Sequence, residues 1–315
     1  MLKDKLKGML YGGIVGDILG VPFEFKDMGT FNCTDMVGYG THNQPLGTWS
    51  DDTSMTLATI DNIIQKGTES DLMFKFLEFR NYGKYTPHGK VFDIGSTVVN
   101  AIDEFEYNIS NGINDVSNCG QDGECDNGNG ALMRISPVIT LLDKYDPSKS
   151  FDLIDKYTSL THSHPRSVIA SIIYLELLQQ LLEYDKLESI ENVFKITQKM
   201  YFPILPFKYV NELSTYNDFF NMKLLDKQYS ELKSSGYVVD TLFSAIWCFY
   251  YSNSFEDAVL KAVNLGGDTD TIASITGSLA GIYYGYDSIP KEWINKIVKK
   301  DYIDTLINAY LERID

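Results

Sequence analysis

Four glycines near the start of the chain restrict the possible folds more than any other feature. They recur at every fourth position, at Gly8, Gly12, Gly16 and Gly20. On a helix this spacing forms one ridge without side chains, and because each glycine costs about 1 kcal/mol relative to alanine, the ridge requires a packing reason. A second row of small residues lies near the other end of the chain, at Ala273, Gly277, Ala280 and Gly281. We predict that the two helices bearing these rows cross in close contact.

The spacing of apolar residues predicts an all-α protein. Apolar side chains recur three and four positions apart, as at Leu57, Ile60 and Ile64, and runs of strict alternation are scarce. The 315-residue chain is 44% hydrophobic and 22% charged, which is typical of a folded protein. The connection from Asn108 to Gly130 is rich in Asn, Asp, Gly and Ser, so it is predicted to be a polar loop. We therefore expect a single domain over residues 1–315.

Charge and cysteine usage bear on partners and location. Asp and Glu outnumber Lys and Arg by 43 to 27, and a net charge of -16 repels phosphate backbones, so nucleic acid is a disfavoured partner. An anionic ligand would need local support from helix N-termini, glycine-rich backbone or bound cations. The four cysteines form no close pair at metal-ligand spacing and no secretory framework, so reduced thiols and a cytoplasmic location are expected. No segment is apolar enough to predict a membrane span.

A first group of oxygen-bearing side chains, Ser50, Asp51 and Asp52, precedes a helical pattern from about Ser54 to Gln65. Capping explains part of this group, because Ser or Asp before a helix is an ordinary N-cap and the helix dipole favours acidic residues in the first turn. Three consecutive oxygen side chains exceed what a cap needs. Capping and metal binding both stay open for this group.

A second group lies in the stretch 264–271 (NLGGDTDT), before a helix predicted from about Ile272 to Tyr284. In an extended segment Asp268 and Asp270 point to one side, so both carboxylates can reach one ion. Capping explains this group less well, because a cap has no use for the paired glycines. Carboxylates and hydroxyls without His or Cys suit Mg²⁺, Mn²⁺ or Ca²⁺ and argue against Zn²⁺ or copper.

Three other acidic motifs fit these residues less well. The DTDT run matches the DxDxT motif of haloacid-dehalogenase-like phosphatases, but that motif follows a strand early in its domain. Asp51 and Asp52 resemble part of the DDxxD motif of terpene synthases, but Met55 stands where the third carboxylate is needed. A calcium EF-hand loop counted from Asp268 has Leu279 where a glutamate is required.

A third element, the stretch 128–134 (GNGALMR), is a glycine-bearing turn that is predicted to run into an apolar helix. Such a turn can present backbone N–H groups to phosphate, with Arg134 adding charge, although Arg134 can equally form a structural salt bridge. Two of the four histidines, His162 and His164, lie close together further along the chain. We expect His164 to cap the next helix and His162 to contact a ligand.

Together these stretches resemble the ADP-ribosylglycohydrolase family, which includes the dinitrogenase-reductase-activating glycohydrolases and the ADP-ribosylarginine hydrolases. The matching stretches follow in family order: 12–25 (GGIVGDILGVPFEF), 47–55 (GTWSDDTSM), 128–134 (GNGALMR), 236–242 (GYVVDTL) and 262–285 (AVNLGGDTDTIASITGSLAGIYYG). The last stretch alone is highly specific. Between about Lys186 and Ser235 no family motif is found, so a divergent helical insertion is expected there.

The resemblance implies a compact, orthogonal helical domain with two adjacent Mg²⁺ or Mn²⁺ ions. By position, the implied metal ligands are Ser50, Asp51, Asp52, Asp268, Asp270 and Thr271. The implied catalytic carboxylates are Glu24, Asp52 and Asp93, and the resemblance leaves open which of them moves the proton. The implied substrate-binding residues are Gly128, Asn129, Gly130, Met133, Arg134, His162 and Tyr237. Ser50 stands where the family usually has Thr, and because the hydroxyl is kept we expect metal binding to survive.

The resemblance also implies the reaction, which is metal-dependent hydrolysis of the N- or O-glycosidic bond of ADP-ribosylated targets with release of ADP-ribose. The expected substrate is an ADP-ribosylated protein or a small ADP-ribose conjugate, arginine-linked by analogy with the most similar-looking relatives, and the chain is expected to be a monomer. Two alternatives stay open: a non-catalytic ADP-ribose-binding or structural member, and a nucleotide phosphohydrolase using the same ions. The intact acidic groups argue against a non-catalytic member. The identity of the released product distinguishes a phosphohydrolase from a hydrolase that releases ADP-ribose.

Overall fold

The computed structural model describes residues 2–143 and 145–314, and this part of the chain is helical. Its fourteen α-helices are α1 Leu2–Gly20, α2 Asp51–Gln65, α3 Glu69–Tyr82, α4 Ser96–Ser110, α5 Pro147–Ser159, α6 Pro165–Leu181, α7 Lys186–Ile196, α8 Phe207–Glu212, α9 Asn217–Phe220, α10 Val238–Tyr250, α11 Phe255–Val263, α12 Thr269–Tyr284, α13 Lys291–Lys296 and α14 Lys300–Leu311. Extended pairing within the described residues is limited to isolated bridges. The all-α prediction is confirmed.

The predicted contact between the two rows of small residues is confirmed as the packing of α1 on α12. The facing pairs are Gly8 with Gly281, Gly12 with Gly277, and Gly16 with Ala273. A Cβ atom on Gly12 would lie 2.1 Å from the carbonyl oxygen of Gly277, so the two backbones touch and no larger side chain fits. The order of the pairs shows that the two helices run antiparallel.

This antiparallel packing brings the end of α1 to the beginning of α12. A Cβ atom on Gly20 would lie 2.3 Å from the Cα atom of Asp270, in the first turn of α12. After Gly20 the chain makes a single 3₁₀ turn, Val21–Phe23, and then reaches Glu24. The fold therefore delivers Glu24 next to the second acidic group.

The two helices that follow the acidic groups begin about three residues earlier than the periodicity predicts. Helix α2 begins at Asp51 because the hydroxyl of Ser50 accepts a hydrogen bond from the N–H of Asp52. Helix α12 begins at Thr269, so Asp270 belongs to the helix itself. Both predicted C-terminal ends, at Gln65 and Tyr284, are confirmed.

The stretch 128–134 does not run into an α-helix, which corrects the prediction. The chain forms two short 3₁₀ turns instead, Leu132–Arg134 and Ser136–Leu141. Pro137 lies at the start of the second turn, and because proline has no backbone N–H it interrupts α-helical hydrogen bonding.

Residues 186–235 are rich in helix, with α7, a π-helical turn at Thr197–Tyr201, α8 and α9, and the divergent insertion expected there stays a prediction. Helices α7 and α8 pack on α6. Tyr201, Tyr209 and Tyr216 are buried, so this segment contributes to the same core as the rest of the chain. Among the described helices, none combines the length and the apolar character that crossing a membrane requires.

Candidate active site

The first acidic group contains one helix cap and two carboxylates that capping does not explain. Ser50 is the N-cap of α2, and its hydroxyl accepts from the N–H of Asp52 at 3.3 Å. Asp51 and Asp52 stand in the first turn with only 7% and 1% of their surface exposed. A buried carboxylate requires a compensating partner, so these two side chains need a further explanation.

The two acidic groups, far apart in sequence, meet in the structure. The hydroxyl of Thr271 donates to Oδ2 of Asp52 at 3.2 Å. The other oxygen of the same carboxylate, Oδ1, is buried and has no hydrogen-bond partner among the described residues. A buried acceptor without a donor is unfavourable, and a bound cation would satisfy it.

Asp268 and Asp270 approach each other through a helix start, which corrects the predicted extended geometry. Asp268 occupies the N-cap position of α12 and Asp270 lies in the first turn. The side chain of Asp268 makes no capping bond, and its Oδ2 accepts from the side-chain amide of Asn129 at 2.8 Å. Carboxylate oxygens of Glu24, Asp268 and Asp270 all lie within 4.8 Å of one another. These carboxylates can therefore share an ion.

The paired glycines before Asp268 hold this group against the segment that follows α1. Gly266 and Gly267 have left-handed backbone angles, with φ of 73° and 68°, which glycine adopts without strain. The N–H of Gly267 donates to the carbonyl of Lys26 at 2.9 Å, and the N–H of Phe25 donates back to the carbonyl of Gly267 at 2.7 Å. These two bonds fix Glu24 relative to Asp268.

The electrostatics of the group favour a divalent cation. Burial raises the pKa of Asp51, Asp52 and Asp270 well above the ordinary carboxyl value, and repulsion from the neighbouring carboxylates raises it further. Within residues 2–143 and 145–314, these three make no ion pair with lysine or arginine. Hard oxygen donors without a basic partner are the ligand set of Mg²⁺ or Mn²⁺. The group is therefore a candidate site for divalent metal.

Asp17, which the sequence analysis did not select, stabilises the start of α2 through hydrogen bonds to its first backbone N–H groups. Its fully buried carboxylate accepts from the N–H groups of Ser50 and Thr53, each at 3.0 Å, and from the hydroxyl of Thr53 at 2.5 Å. Burial raises the pKa of Asp17 to about 6, while these hydrogen bonds act in the opposite direction. The signal was present in the sequence, because an aspartate inside an apolar, glycine-rich helix needs a specific partner.

Glu24 and Asp93 lie together at one edge of the acidic group, beside His42, a second residue that the sequence analysis missed. His42 Nε2 is hydrogen-bonded to the carboxylate of Glu24, and an oxygen of Asp93 lies within 4.8 Å of both. Burial raises the pKa of Glu24 to about 7; the bond to His42 opposes this shift, and the charges of Asp93 and Asp268 add to it. The same bond raises the pKa of His42. One of the three predicted catalytic carboxylates, Glu24, is thus paired with an imidazole, and a second, Asp93, lies close to both.

The glycine-bearing loop predicted to bind substrate adjoins the acidic group through Asn129. The side-chain amide of Asn129 reaches Asp268, and its backbone N–H donates to the carbonyl of Gly236 at 3.0 Å. Gly128 forms an isolated antiparallel bridge with Tyr237. The structure therefore brings the loop, Tyr237 and the acidic group together.

His162 lies beneath this loop and does not face an open surface. It is 1% exposed, its Nδ1 bonds the hydroxyl of Thr161 at 2.9 Å, and burial lowers its pKa to about 3, so the ring is neutral. A Cβ atom on Gly130 would lie 3.0 Å from Cε1 of His162, so glycine lets the loop rest on the ring. His162 therefore supports the loop from within the core, and the ligand contact expected for it stays a prediction. The cap predicted for His164 is confirmed, since Nδ1 accepts from the N–H of Arg166 at 3.2 Å.

Arg134 is fully buried, which corrects both predictions made for it. Its NH2 group donates to the carbonyl of Tyr157 at 3.1 Å and to the hydroxyl of Thr161 at 2.8 Å, and its guanidinium lies 4.7 Å from the ring centre of Phe76. Burial lowers its pKa to about 9. In this structure the side chain is enclosed, so it neither faces a diphosphate nor forms a salt bridge with a described carboxylate. Met133 is also buried, with 6% of its surface exposed.

A cavity of about 820 Å³ lies between α5, α6 and α8, away from these residues. Its lining includes Lys156, Ser163 and Lys208 but none of the predicted site residues. The chemistry of the acidic group, and not the size of a cavity, therefore locates the site.

Comparison with known proteins identifies the family. The family described as ADP-ribosylglycohydrolase matches residues 1–315. The chain is 31% identical to "ADP-ribosylarginine hydrolase Tri1" of Serratia proteamaculans, over 96% of this chain and 78% of that protein. It is 27% identical to "ADP-ribosyl-[dinitrogen reductase] glycohydrolase" of Rhodospirillum rubrum, over 94% and 91% of the two chains. A solved structure described as "ADP-ribosylglycohydrolase-related protein complex" superposes with a TM-score of 0.77 at 26% identity, covering 99% of this chain and 98% of that one. The chain therefore belongs to the ADP-ribosylglycohydrolase family and is a glycosidic-bond hydrolase.

Proposed function

We propose that this protein removes ADP-ribose from arginine side chains by metal-dependent hydrolysis of the N-glycosidic bond. The observation that carries the proposal is the meeting of the two acidic groups, in which Thr271 bonds one oxygen of Asp52 and the other oxygen stays without a partner. The arginine linkage is favoured by two relatives named ADP-ribosylarginine hydrolase, which are 31% and 29% identical to this chain. The substrate is then an ADP-ribosylated protein or a small conjugate of ADP-ribose.

The residues proposed to hold two divalent cations are Ser50, Asp51, Asp52, Asp268, Asp270 and Thr271. When bound, Mg²⁺ or Mn²⁺ supplies Lewis acidity and a template for the vicinal hydroxyls of the ribose. Asp17 is not among the proposed ligands, because both of its oxygens accept hydrogen bonds from the start of α2. Its part is to hold Asp51 and Asp52 in place.

Among the three candidate carboxylates, we favour Glu24 as the residue that moves the proton. Burial is the largest cause that raises the pKa of Glu24 towards neutral, where a carboxyl group can both hold and release a proton. His42 fixes the orientation of this carboxylate. Asp52 is buried and bonded to Thr271, which suits a ligand, and Asp93 is the alternative proton carrier because its pKa is also raised by burial.

The reaction needs one water and one proton transfer. The bond between the anomeric carbon and the arginine nitrogen breaks, the oxygen of water bonds to that carbon, and one proton of the water passes to the departing nitrogen, by way of Glu24 in our proposal. Glycoside hydrolysis of this kind has an oxocarbenium-like transition state, which nearby carboxylates stabilise.

We assign the ADP portion of the substrate to the loop at Gly128, Asn129 and Gly130 and to the neighbouring Tyr237. Two of these residues are glycines, so the backbone can approach a ligand closely. Asn129 links this loop to Asp268, so a nucleotide on the loop would extend from a ribose at the acidic group.

The test is release of free ADP-ribose from arginine-linked and serine-linked ADP-ribosylated proteins, with Mg²⁺, with Mn²⁺ and with a chelator. We expect metal-dependent release from the arginine-linked protein. Release of AMP or inorganic phosphate instead would identify a nucleotide phosphohydrolase. Binding of ADP-ribose without any release would identify a non-catalytic member of the family.

A further inference from the structure

Phe25, the residue directly after Glu24, has a largely exposed aromatic side chain and a left-handed backbone conformation. Its surface is 69% exposed, and its φ of 63° falls in the left-handed region, which is rare for a residue with a bulky side chain. Neither burial nor local geometry explains a phenylalanine at this position. Backbone strain that is held in place beside a proposed catalytic residue is a reason to look for a function.

Two further rings stand beside Phe25 and form what we call the aromatic rim, made of Phe25, His42 and Phe92. The ring centres of Phe25 and His42 are 6.0 Å apart, and those of His42 and Phe92 are 5.3 Å apart. His42 bonds Glu24, and Phe92 directly precedes Asp93. The rim therefore lies next to the two carboxylates that we place nearest the scissile bond.

Hydrogen bonds fix the backbone at Phe25 relative to the acidic group. The N–H of Phe25 donates to the carbonyl of Gly267, and Gly267 donates to Lys26, so the backbone on both sides of the ring is tied to the residue before Asp268. The backbone that carries the ring of Phe25 is thus held beside Glu24 and the second acidic group.

The phenyl rings of Phe25 and Phe92 suit a planar cation, whereas His42 contributes by holding Glu24, because the bond between them raises the pKa of the imidazole. Aromatic faces attract a guanidinium through their negative π surface, and arginine also stacks on such faces through its flat, weakly hydrated group. The carboxyl groups of Glu24 and Asp93 lie beside His42 of the rim, where their oxygens can accept hydrogen bonds from a guanidinium. A serine hydroxyl has neither a charge nor a flat surface to use these features, whereas arginine uses both.

We propose that Phe25, with the rest of the aromatic rim, binds the guanidinium of the ADP-ribosylated arginine and so selects the arginine linkage. This inference rests on the proposed function and names the residue that determines its substrate class. Phe25 is a binding residue in this scheme and takes no part in the proton transfer. Its loss therefore acts on the binding of the target side chain and not on the chemical step.

The experiment measures steady-state release of ADP-ribose by variants that separate the π face from bulk. Phe25→Leu keeps an apolar side chain of similar size without a π face, Phe25→Ala removes both, and Phe25→Trp keeps the π face. We expect KM for ADP-ribosylarginine to rise about five- to thirtyfold in the Leu and Ala variants, the range of a partly desolvated cation–π contact, and to stay near the wild-type value in Trp. We expect kcat to change less than twofold, and inhibition by free ADP-ribose to be unchanged.

The matched control is Phe207→Ala, which removes a ring that is 78% exposed on α8 and has no place in the site. A second measurement is the affinity of the protein preloaded with ADP-ribose for arginine amide, determined by calorimetry. This affinity should fall by the same factor in the Leu and Ala variants. If the wild-type enzyme cleaves ADP-ribosylarginine and KM is unchanged in Phe25→Ala, the role of the rim is overturned and the proposed function stands.

If the wild-type enzyme releases no ADP-ribose, the proposed function is overturned. The binding of arginine amide then tests the rim separately, and equal binding with and without Phe25 would overturn the rim as well.

Discussion

Thr271 donates a hydrogen bond to Asp52 at 3.2 Å, although 219 positions separate the two residues in the chain. Thr271 lies in the first turn of α12 and Asp52 in the first turn of α2, so the bond joins the beginnings of two helices. The positive ends of both helix dipoles therefore lie at the same group of carboxylates. This arrangement offsets part of the repulsion that burial of so many acids creates.

Replacing Asp270 by asparagine should abolish turnover without unfolding the protein. We expect kcat/KM to fall by at least about a thousandfold, because a charged ligand is lost where Lewis acidity is needed. Stability without metal should be unchanged or higher, because one of several repelling carboxylates becomes neutral. The free energy of unfolding should rise by about 2.7 kcal/mol in the wild type at metal concentrations of 100 times Kd, and this gain should be lost in the variant.

The matched control for this variant is Asp301→Asn, which removes an exposed carboxylate at the start of α14. It should keep both the activity and the stabilisation by metal. Normal activity in Asp270→Asn would contradict the assignment of the metal ligands.

Replacing Asp17 by asparagine tests a positioning role. Asparagine offers one acceptor oxygen where the aspartate uses two, and its NH₂ group would face the N–H groups of Ser50 and Thr53. We expect a loss of about 2 kcal/mol in unfolding free energy and a ten- to hundredfold weaker metal affinity, which is the usual effect of losing a residue that orients ligands. Denaturant titration and metal-binding calorimetry measure the two effects. Unaltered metal affinity would show that α2 begins correctly without this carboxylate.

Replacing Gly12 by alanine should separate α1 from α12. The added Cβ atom would lie 2.1 Å from the carbonyl oxygen of Gly277, and since backbone atoms cannot move aside cheaply, we expect a loss of about 3 kcal/mol or more. Gly95→Ala is the matched control, because it adds the same methyl group at an ordinary φ of -65° with nothing within 4 Å. Because Gly95 is the N-cap of α4, where glycine is preferred over alanine, that control should lose no more than about 1 kcal/mol. Equal melting temperatures for the two variants would refute the close packing.

His162 should make the protein less stable in mild acid. Burial lowers the pKa of this ring to about 3, whereas an unfolded histidine titrates near 6.5, so the unfolded state takes up the proton first as the pH falls. The stability linked to this ring is fully present above pH 6.5 and is lost between 6.5 and 3. We expect a loss of about 2 kcal/mol between pH 7 and pH 5 from this residue.

The variant His162→Gln isolates this effect because it cannot take up a proton in this range. The difference in unfolding free energy between wild type and variant should shrink by about 2 kcal/mol from pH 7 to pH 5, as measured by urea titration. A difference that does not change with pH would indicate that the ring is protonated or solvated in the folded protein.

Much of the fold was predictable because helix periodicity and glycine spacing are local properties of the sequence. The contact between α1 and α12 followed from two rows of small residues, since such rows are unfavourable unless backbones touch. The starts of α2 and α12 were less predictable, because an N-cap decides them by a side-chain bond that periodicity does not report. The 3₁₀ turns after Gly130 were missed for a similar reason, as Pro137 breaks the expected helix.

The sequence indicated which residue types form the candidate site, but it did not indicate how their side chains are arranged. Asp51, Asp52, Asp268 and Asp270 were identifiable because consecutive acids exceed the needs of capping. Arg134 was misassigned, since a sequence does not show whether a guanidinium next to a glycine turn points outward or into the core. His42 was missed because a single histidine in a loop has no motif around it that predicts a partner.

The all-α class, the close packing of two helices and the presence of hard oxygen ligands could all be inferred from the sequence, because each depends on residue types at short spacing. Which of these residues meet depends on the folded arrangement of the helices. The folded chain placed Glu24 beside Asp268 through the antiparallel packing of α1 on α12, and it enclosed Arg134, which had been expected to add charge for a phosphate. Burial and contacts between distant residues set the charge and the reach of each side chain, and both exist only after the chain has folded.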